Sequence, residues 1–282
     1  KYYQDSVDML RSTFTRLNLL MDGIPWIRFK DKVFEKWACK FWDLDKDGGI
    51  TEEEGKVVQN LYTYNINEWG EEYLVYFNSA KVFDYTKLFC GTKAIGMIGK
   101  NAKELHIGRI DSLNLIVSTP YKAYSGHQHL EIFDIGPSIN WIERMTCDGC
   151  QSLKEVILNE SLHGIDGSAF RYCINLEKIS PLPDSCYRMY GDYNNEIFRG
   201  CTKLKTFTVG RGMQRIGGSC FRDCTAMEAF YIKATTPPIL DGDVFTNNPC
   251  TIYVPIGSGA AYKTATNWST YASKIVEYNF EN

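Results

Sequence analysis

The 282-residue chain has no uninterrupted apolar run near the roughly 18–20 residues that a membrane helix requires. It has no large charge excess of either sign. Its 31 basic and 34 acidic side chains leave a formal charge of −3, which gives no strong attraction to a nucleic-acid backbone. Histidine is scarce: His106, His127, His129 and His163 are the only four, and no spacing among them nominates a catalytic triad. The order strand, GxGxxG, helix that a dinucleotide site needs is missing. Gly257-Ser258-Gly259 falls short of the GxSxG nucleophile elbow. No local motif nominates the carboxylate pair of a glycoside hydrolase, so the chain does not read as an enzyme. It begins at Lys1 without a Met, which reads as a mature or trimmed chain in which an export signal would not be visible. Disorder is excluded by a composition that is 44% hydrophobic and 23% charged.

What the chain does have is ten cysteines, and they are periodic. Cys150 to Cys173 is 23 residues, Cys173 to Cys201 is 28, and Cys201 to Cys224 is 23. Three positions after each comes Leu153, Leu176, Leu204 or Met227. Three further on comes Val156, Ile179, Phe207 or Phe230, and then Leu158, Pro181, Val209 or Ile232. Three positions before the cysteines stand Cys147, Phe170, Phe198 and Phe221. One period earlier the register reaches His127, Leu130, Phe133 and Ile135. A second apolar pair follows, as Ile139/Ile142, Leu162/Ile165 and Met213/Ile216. A single unit of this kind cannot bury its apolar side, whereas stacked units share one core. The alternating end of each unit predicts a short strand, with neighbours stacked about 4.8 Å apart.

The register also reassigns some tempting motifs. Cys147-Asp148-Gly149-Cys150 has the form of a redox or zinc CxxC, yet its cysteines occupy the Phe and Cys slots of one coil, where a thiol is a small, nearly apolar filler. The coil spacing is below the 5.5–6 Å that a disulfide prefers, so the cysteines are expected to be mostly reduced. His127, in a Cys slot, is expected to be a core histidine rather than a metal ligand with His129. Gly210-Arg211-Gly212 and Gly217-Gly218 read as turns. The 28-residue step implies five extra residues, assigned to a loop containing Cys186–Asn195. That loop is either a tolerated surface insertion or, through its Tyr, Asp and Asn, a contact for a sugar or a protein side chain.

Residues 1–75 do not follow the repeat. Asp5–Leu20 and Asp31–Trp42 are predicted helices on either side of Pro25. Residues 43–54 match the twelve-residue calcium loop of an EF-hand position by position. Asp43, Asp45 and Asp47 would supply carboxylate oxygens, Gly48 the bend, Gly49 its carbonyl, Thr51 a water-mediated contact and Glu54 both carboxylate oxygens. Ile50 at the eighth position is expected to point inward. Six hard oxygen donors suit Ca²⁺ better than Mg²⁺. With one loop only, the expectation is a structural calcium site rather than a paired sensor. Residues 76–126 are expected to hold one or two degenerate coils. After Ile232, a last strand at 251–255 and a short helix carrying Tyr262, Trp268, Tyr271 and Ile275 are expected to cover the open end of the core.

Phe198-Arg-Gly-Cys201-Thr-Lys-Leu204 and Phe221-Arg-Asp-Cys224-Thr-Ala-Met227 resemble the BspA-like leucine-rich repeat family, as do Thr236-Pro237-Pro238 and Ile252-Tyr253-Val254-Pro255 in the tail. A single EF-hand-like loop before the repeats fits the same resemblance. It implies an α+β repeat architecture, a leucine-rich-repeat-like β-solenoid with C-terminal cap over 76–282 (clear coils about 127–245), preceded by the helical EF-hand-like segment 1–75. It further implies an exported bacterial cell-surface protein, anchored at the outer membrane by lipid, that binds a protein or glycan ligand. Adhesion is the first expectation and carbohydrate recognition in polysaccharide capture the alternative. The resemblance carries over no ligand-contact residues.

Overall fold

The structure is a computed structural model and describes residues 27, 29, 31–43, 46, 48–51, 54, 79–85, 89–90, 98–110, 117–191 and 195–281. The predicted helix at Asp5–Leu20 lies outside them, as do Val57, Val58 and Leu61 after the acidic loop. The chain winds as a parallel β-solenoid of about eight turns. One side of the coil is a sheet of β1 (Val82–Asp84), β3 (Glu104–His106), β5 (Ile132–Asp134), β7 (Glu155–Ile157) and β9 (Lys178–Ile179). The same side continues as β11 (Thr206–Val209), β13 (Ala229–Ile232), β15 (Thr251–Pro255) and β16 (Ile275–Tyr278). A second sheet, on another side, stacks β6 (Trp141–Ile142), β8 (Gly164–Ile165), β10 (Arg188–Met189), β12 (Arg215–Ile216) and β14 (Ile239–Leu240). β2 (Phe89–Cys90) and β4 (Arg109–Ile110) form a parallel pair of their own.

The register is the one the apolar slots dictate. Phe133 lies over Val156 and Val156 over Ile179, while Phe207 lies over Phe230 and Phe230 over Ile252. The same ladder reaches back to Leu105 and Phe83, which places the degenerate coils. A parallel strand cannot pair with its neighbour through a tight hairpin, so each coil needs a return path. That path is the second sheet followed by a tight turn. Here Cys147 N–H bonds the Ala169 carbonyl, Phe198 N–H that of Cys220, and Phe221 N–H that of Val244. Most of the tight turns pass twice through left-handed backbone, and those at Gly200 and Asn247 once. Met145, Ser168 and Ser219 hold the first such position, and Gly149, Tyr172, Gly200 and Asp223 the second. At Gly200, with φ 75, a Cβ would sit 2.7 Å from the Tyr172 ring, so glycine is required there on both counts.

The Phe slots form a stacked column. Phe170 and Phe198 are 5.3 Å apart at 9°, Phe198 and Phe221 5.4 Å at 9°, and Phe221 and Phe245 5.8 Å at 10°. The thiols form a second column, and they are more than filler. Each donates a hydrogen bond to a main-chain carbonyl of the preceding coil. Cys150 reaches Tyr124 at 2.9 Å, Cys173 reaches Cys147 at 3.1 Å, Cys201 reaches Phe170 at 3.3 Å and Cys224 reaches Phe198 at 3.1 Å. His127 begins the column by bonding Gly99 O at 3.1 Å, and Asn248 ends it by donating to Phe221 O at 3.1 Å. The slot therefore selects a compact donor, which is the property that Cys, His and Asn share. Cys147, Cys150, Cys173, Cys186, Cys201, Cys220, Cys224 and Cys250 are buried free thiols, and Cys39 is a half-buried one. Burial pushes Cys147 and Cys173 well above the ordinary thiol range, and Cys224 up to about 12, which favours the neutral thiol, the form that donates these bonds.

His127 is neutral in this column. Its Nδ1 accepts from the Leu130 N–H at 3.1 Å, leaving Nε2 as the proton-bearing nitrogen that faces Gly99 O. Burial lowers its basicity; the Gly99 bond opposes this and His129 adds to it. The unfolded chain takes up a proton near pH 6.5 and the folded one only at lower pH. This contribution is therefore complete above about pH 6.5 and is lost as pH falls below it. Melting curves from pH 7.5 to 5 should show a steeper acid loss for the wild type than for His127→Asn. Parallel curves would contradict the neutral, half-buried assignment.

Both ends of the stack are closed. At the N-terminal end, α1 (Lys32–Trp42) is capped by Asp31, whose Oδ1 accepts from Val33 and Phe34 N–H at 2.7 and 3.1 Å. The other oxygen accepts from Lys81 and Val82 N–H at 2.6 and 3.0 Å, so one carboxylate ties helix to first strand. Burial works against that carboxylate, but the backbone bonds outweigh it and hold its pKa low. Phe34 packs on Phe83 and Tyr85, with ring centroids 5.0 and 5.3 Å away. At the other end stand α2 (Gly259–Thr264) and a 3₁₀ helix at Ser269–Lys274. Their buried aromatics cover the core and pair its last polar groups. Tyr262 Oη donates to Ala234 O at 2.7 Å and Trp268 Nε1 to Pro238 O at 2.7 Å, while Tyr271 Oη accepts from Val244 N–H at 3.1 Å. The chain then adds one strand, β16, beyond the expected cap.

Candidate binding face and acidic loop

The outward positions of the second sheet gather half-buried aromatic and cationic groups. Stepping one residue before the buried Ile142, Ile165, Met189 and Ile216 gives Trp141, Gly164, Arg188 and Arg215. The Arg188 guanidinium lies 5.5 Å from the Trp141 ring and 5.0 Å from the Tyr190 ring. Arg215 lies 4.1 Å from the same Tyr190 ring, and is held by bonds to both oxygens of Asp241 at 2.9 and 3.0 Å. Trp141 reaches Arg188 by lying across the intervening coil at Gly164, where a Cβ would come 2.6 Å from its ring. Tyr187 sits beside, its ring 6.4 Å from Trp141 and 6.2 Å from His163. Each cation–π contact of this kind contributes about 0.5–1 kcal/mol when exposed. The row is thus held rigid before any ligand arrives. Next to it Glu143 has its pKa raised, first by burial and then by Asp166.

This geometry corrects the reading of the long step. Cys186 and Met189 are both buried and occupy the second apolar pair of their coil, with Met189 over Ile165 and under Ile216. Ile165 precedes Phe170 by five positions whereas Met189 precedes Phe198 by nine. Most of the extra length therefore falls after Tyr190, where 192–194 lie outside the described residues. Tyr187, Arg188 and Tyr190 belong to the regular face, not to a loop. Trp141 and Arg215 were missed by motif reading because they are 74 residues apart; stepping the period along the outward slot would have found them.

In the acidic loop, Asp45 and Asp47 lie outside the described residues. Among the described residues no group of three or more His, Cys, Asp or Glu side chains is placed to hold a metal ion. Asp43 ends α1, and its Oδ2 accepts from the Gly48 N–H at 2.7 Å across a bend in which Gly48 has φ 93. Ile50 is buried as expected, and its carbonyl accepts from Ile27 N–H at 2.9 Å. Thr51 and Glu54 cap one another. Glu54 Oε2 accepts from Thr51 N–H at 2.8 Å and its hydroxyl at 3.0 Å, and Glu54 N–H donates to Thr51 Oγ1 at 3.2 Å. This is a capping box, and a calcium ligand role for Glu54 has to replace part of it. The carboxylate, carbonyl and hydroxyl donors fit the oxygen preference of Ca²⁺.

The sequence matches none of the curated proteins. Among solved structures it is similar to a leucine-rich repeat protein of T. pallidum, at 21% identity and a TM-score of 0.42, over 55% of this chain and 75% of that one. The family match falls on the described coils and does not include the acidic loop: residues 117–251 are similar to a BspA type leucine rich repeat region, matched in six copies.

Proposed function

We propose that the protein is a non-enzymatic adhesion protein of the bacterial cell surface. It would be tethered by a lipid anchor outside the present sequence and would engage a protein ligand through the outward face of the second sheet. The observation that carries this is the pre-ordered row Trp141, Arg188, Tyr190 and Arg215. Aromatic and arginine side chains dominate protein-binding hot spots because they bring large area at little ordering cost. The calcium reading of Asp43, Asp45, Asp47, Gly49, Thr51 and Glu54 is part of the proposal. The ion would brace the helical segment next to the first coil and take no part in ligand contact.

Beads coated with the full chain and applied to host cells test the reading. Trp141→Ala and Arg188→Ala should each cut adhesion roughly tenfold, the effect of losing about 1.4 kcal/mol at a central contact. Adhesion that survives both substitutions would move the site elsewhere. The clustering of Trp141, Tyr187 and Tyr190 on one face also favours the second reading, carbohydrate recognition for polysaccharide capture, since sugar rings stack on such side chains. Pretreating the cells separates the two. Loss of adhesion after protease supports a protein ligand, and loss after periodate supports a glycan.

A further inference from the structure

A second ring cluster lies on the other sheet, at the C-terminal end. The outward side chains Tyr231 and Tyr253 stack at 4.9 Å and 16°. Tyr278 meets both edge-on, at 5.4 Å each, and Phe280 closes the group 5.0 Å from Tyr278. None of these rings belongs to the core; Tyr278 remains 41% exposed and the neighbouring Ile256 67%. Beside them runs an open groove of about 410 Å³, within the roughly 300–1,000 Å³ of small-ligand sites. Its lining includes Tyr278 and Phe280, the cations Arg211 and Lys233, and Glu281. Arg211 is held in place, since its backbone N–H and its guanidinium both bond Asp184, at 2.7 and 3.2 Å. Such a groove brings aromatic rings and charged hydrogen-bonding groups into one lining.

We propose that this groove is a glycan-binding subsite for a short pyranose oligosaccharide, separate from the second-sheet face. The C–H face of a sugar ring would lie on Tyr278 and Phe280, and its hydroxyls would meet Lys233, Arg211 and Glu281. The mixed charge of the lining suits hydroxyls, which both donate and accept, better than it suits a purely anionic ligand. The proposal does not depend on the adhesion reading, because the two sites share no residue.

The test is an array of defined oligosaccharides, neutral and uronic, probed with the full chain and its variants. Wild-type protein should mark at least one neutral glycan. Tyr278→Ala and Lys233→Ala should each weaken that signal roughly fivefold, the size expected for one ring or one hydrogen-bonding contact. Tyr278→Phe keeps the ring and should stay within about twofold of wild type. Trp141→Ala should bind as wild type. An array that stays blank overturns the subsite while leaving protein adhesion untouched. So does a signal that falls with Trp141→Ala but survives Tyr278→Ala, which would place the sugar on the other face.

Discussion

Phe198→Ala is expected to destabilise the protein by about 3–5 kcal/mol, the range for emptying a fully buried aromatic slot. Phe198 is completely buried, stacked between Phe170 and Phe221, with Phe207 edge-on at 5.0 Å. No core contact of a solenoid bypasses a damaged coil, because the inward side chains of each turn pack against those of its neighbours. The cavity should therefore also uncouple the coils on either side. Denaturation followed by circular dichroism should show a broadened or two-step transition, and hydrogen exchange should speed up first in the turns around 198–201. A loss below about 1 kcal/mol with one sharp transition would contradict the stacked column.

The second large effect is calcium. At roughly 100 times its dissociation constant, Ca²⁺ should stabilise the chain by about 2.7 kcal/mol and raise the melting temperature by several degrees, and chelator should reverse the shift. Glu54→Gln and Asp43→Asn should abolish most of it, because the loop is read as depending on both ends of its oxygen set. Glu54 has a competing role in the capping box with Thr51, so Glu54→Gln should cost little stability without calcium: Gln can keep the box. That separates loss of a ligand from loss of a cap. A melting temperature that millimolar calcium does not move would remove the metal from the account. A shift that persists in both variants would place the ion somewhere other than this loop.

The central coils were legible in the sequence because several slots repeat together, and the residue types that fill them are those a stacked core needs. The coils containing Phe83 and Leu105 were not. Their backbone pairs with Phe133 in register, but the steps between them are 22 and 28 residues, so no fixed period survives. The left-handed turn positions were half hidden for a similar reason. Gly149 and Gly200 announce them, while Met145, Ser168 and Tyr172 adopt the same backbone without any sign of it. The donor role of the cysteines was missed because thiols were treated as apolar volume. His127 and Asn248 in the same column are the residues that reveal the hydrogen-bond requirement. The surface row at Trp141 and Arg215 became visible only once the coils were stacked, since no local motif contains it.

The parallel ladder has a last consequence for how such a chain can change. Val156 over Ile179 and Phe207 over Phe230 are both steps of 23 residues. Excising residues 150–172, one whole period, would bring every downstream side chain back above an equivalent partner. Steps of 22 residues from Phe230 to Ile252 and of 28 from Leu105 to Phe133 keep the same register, so smaller changes of length are absorbed where the connections between strands can shorten or lengthen, and only a slip within a strand would turn inward groups outward.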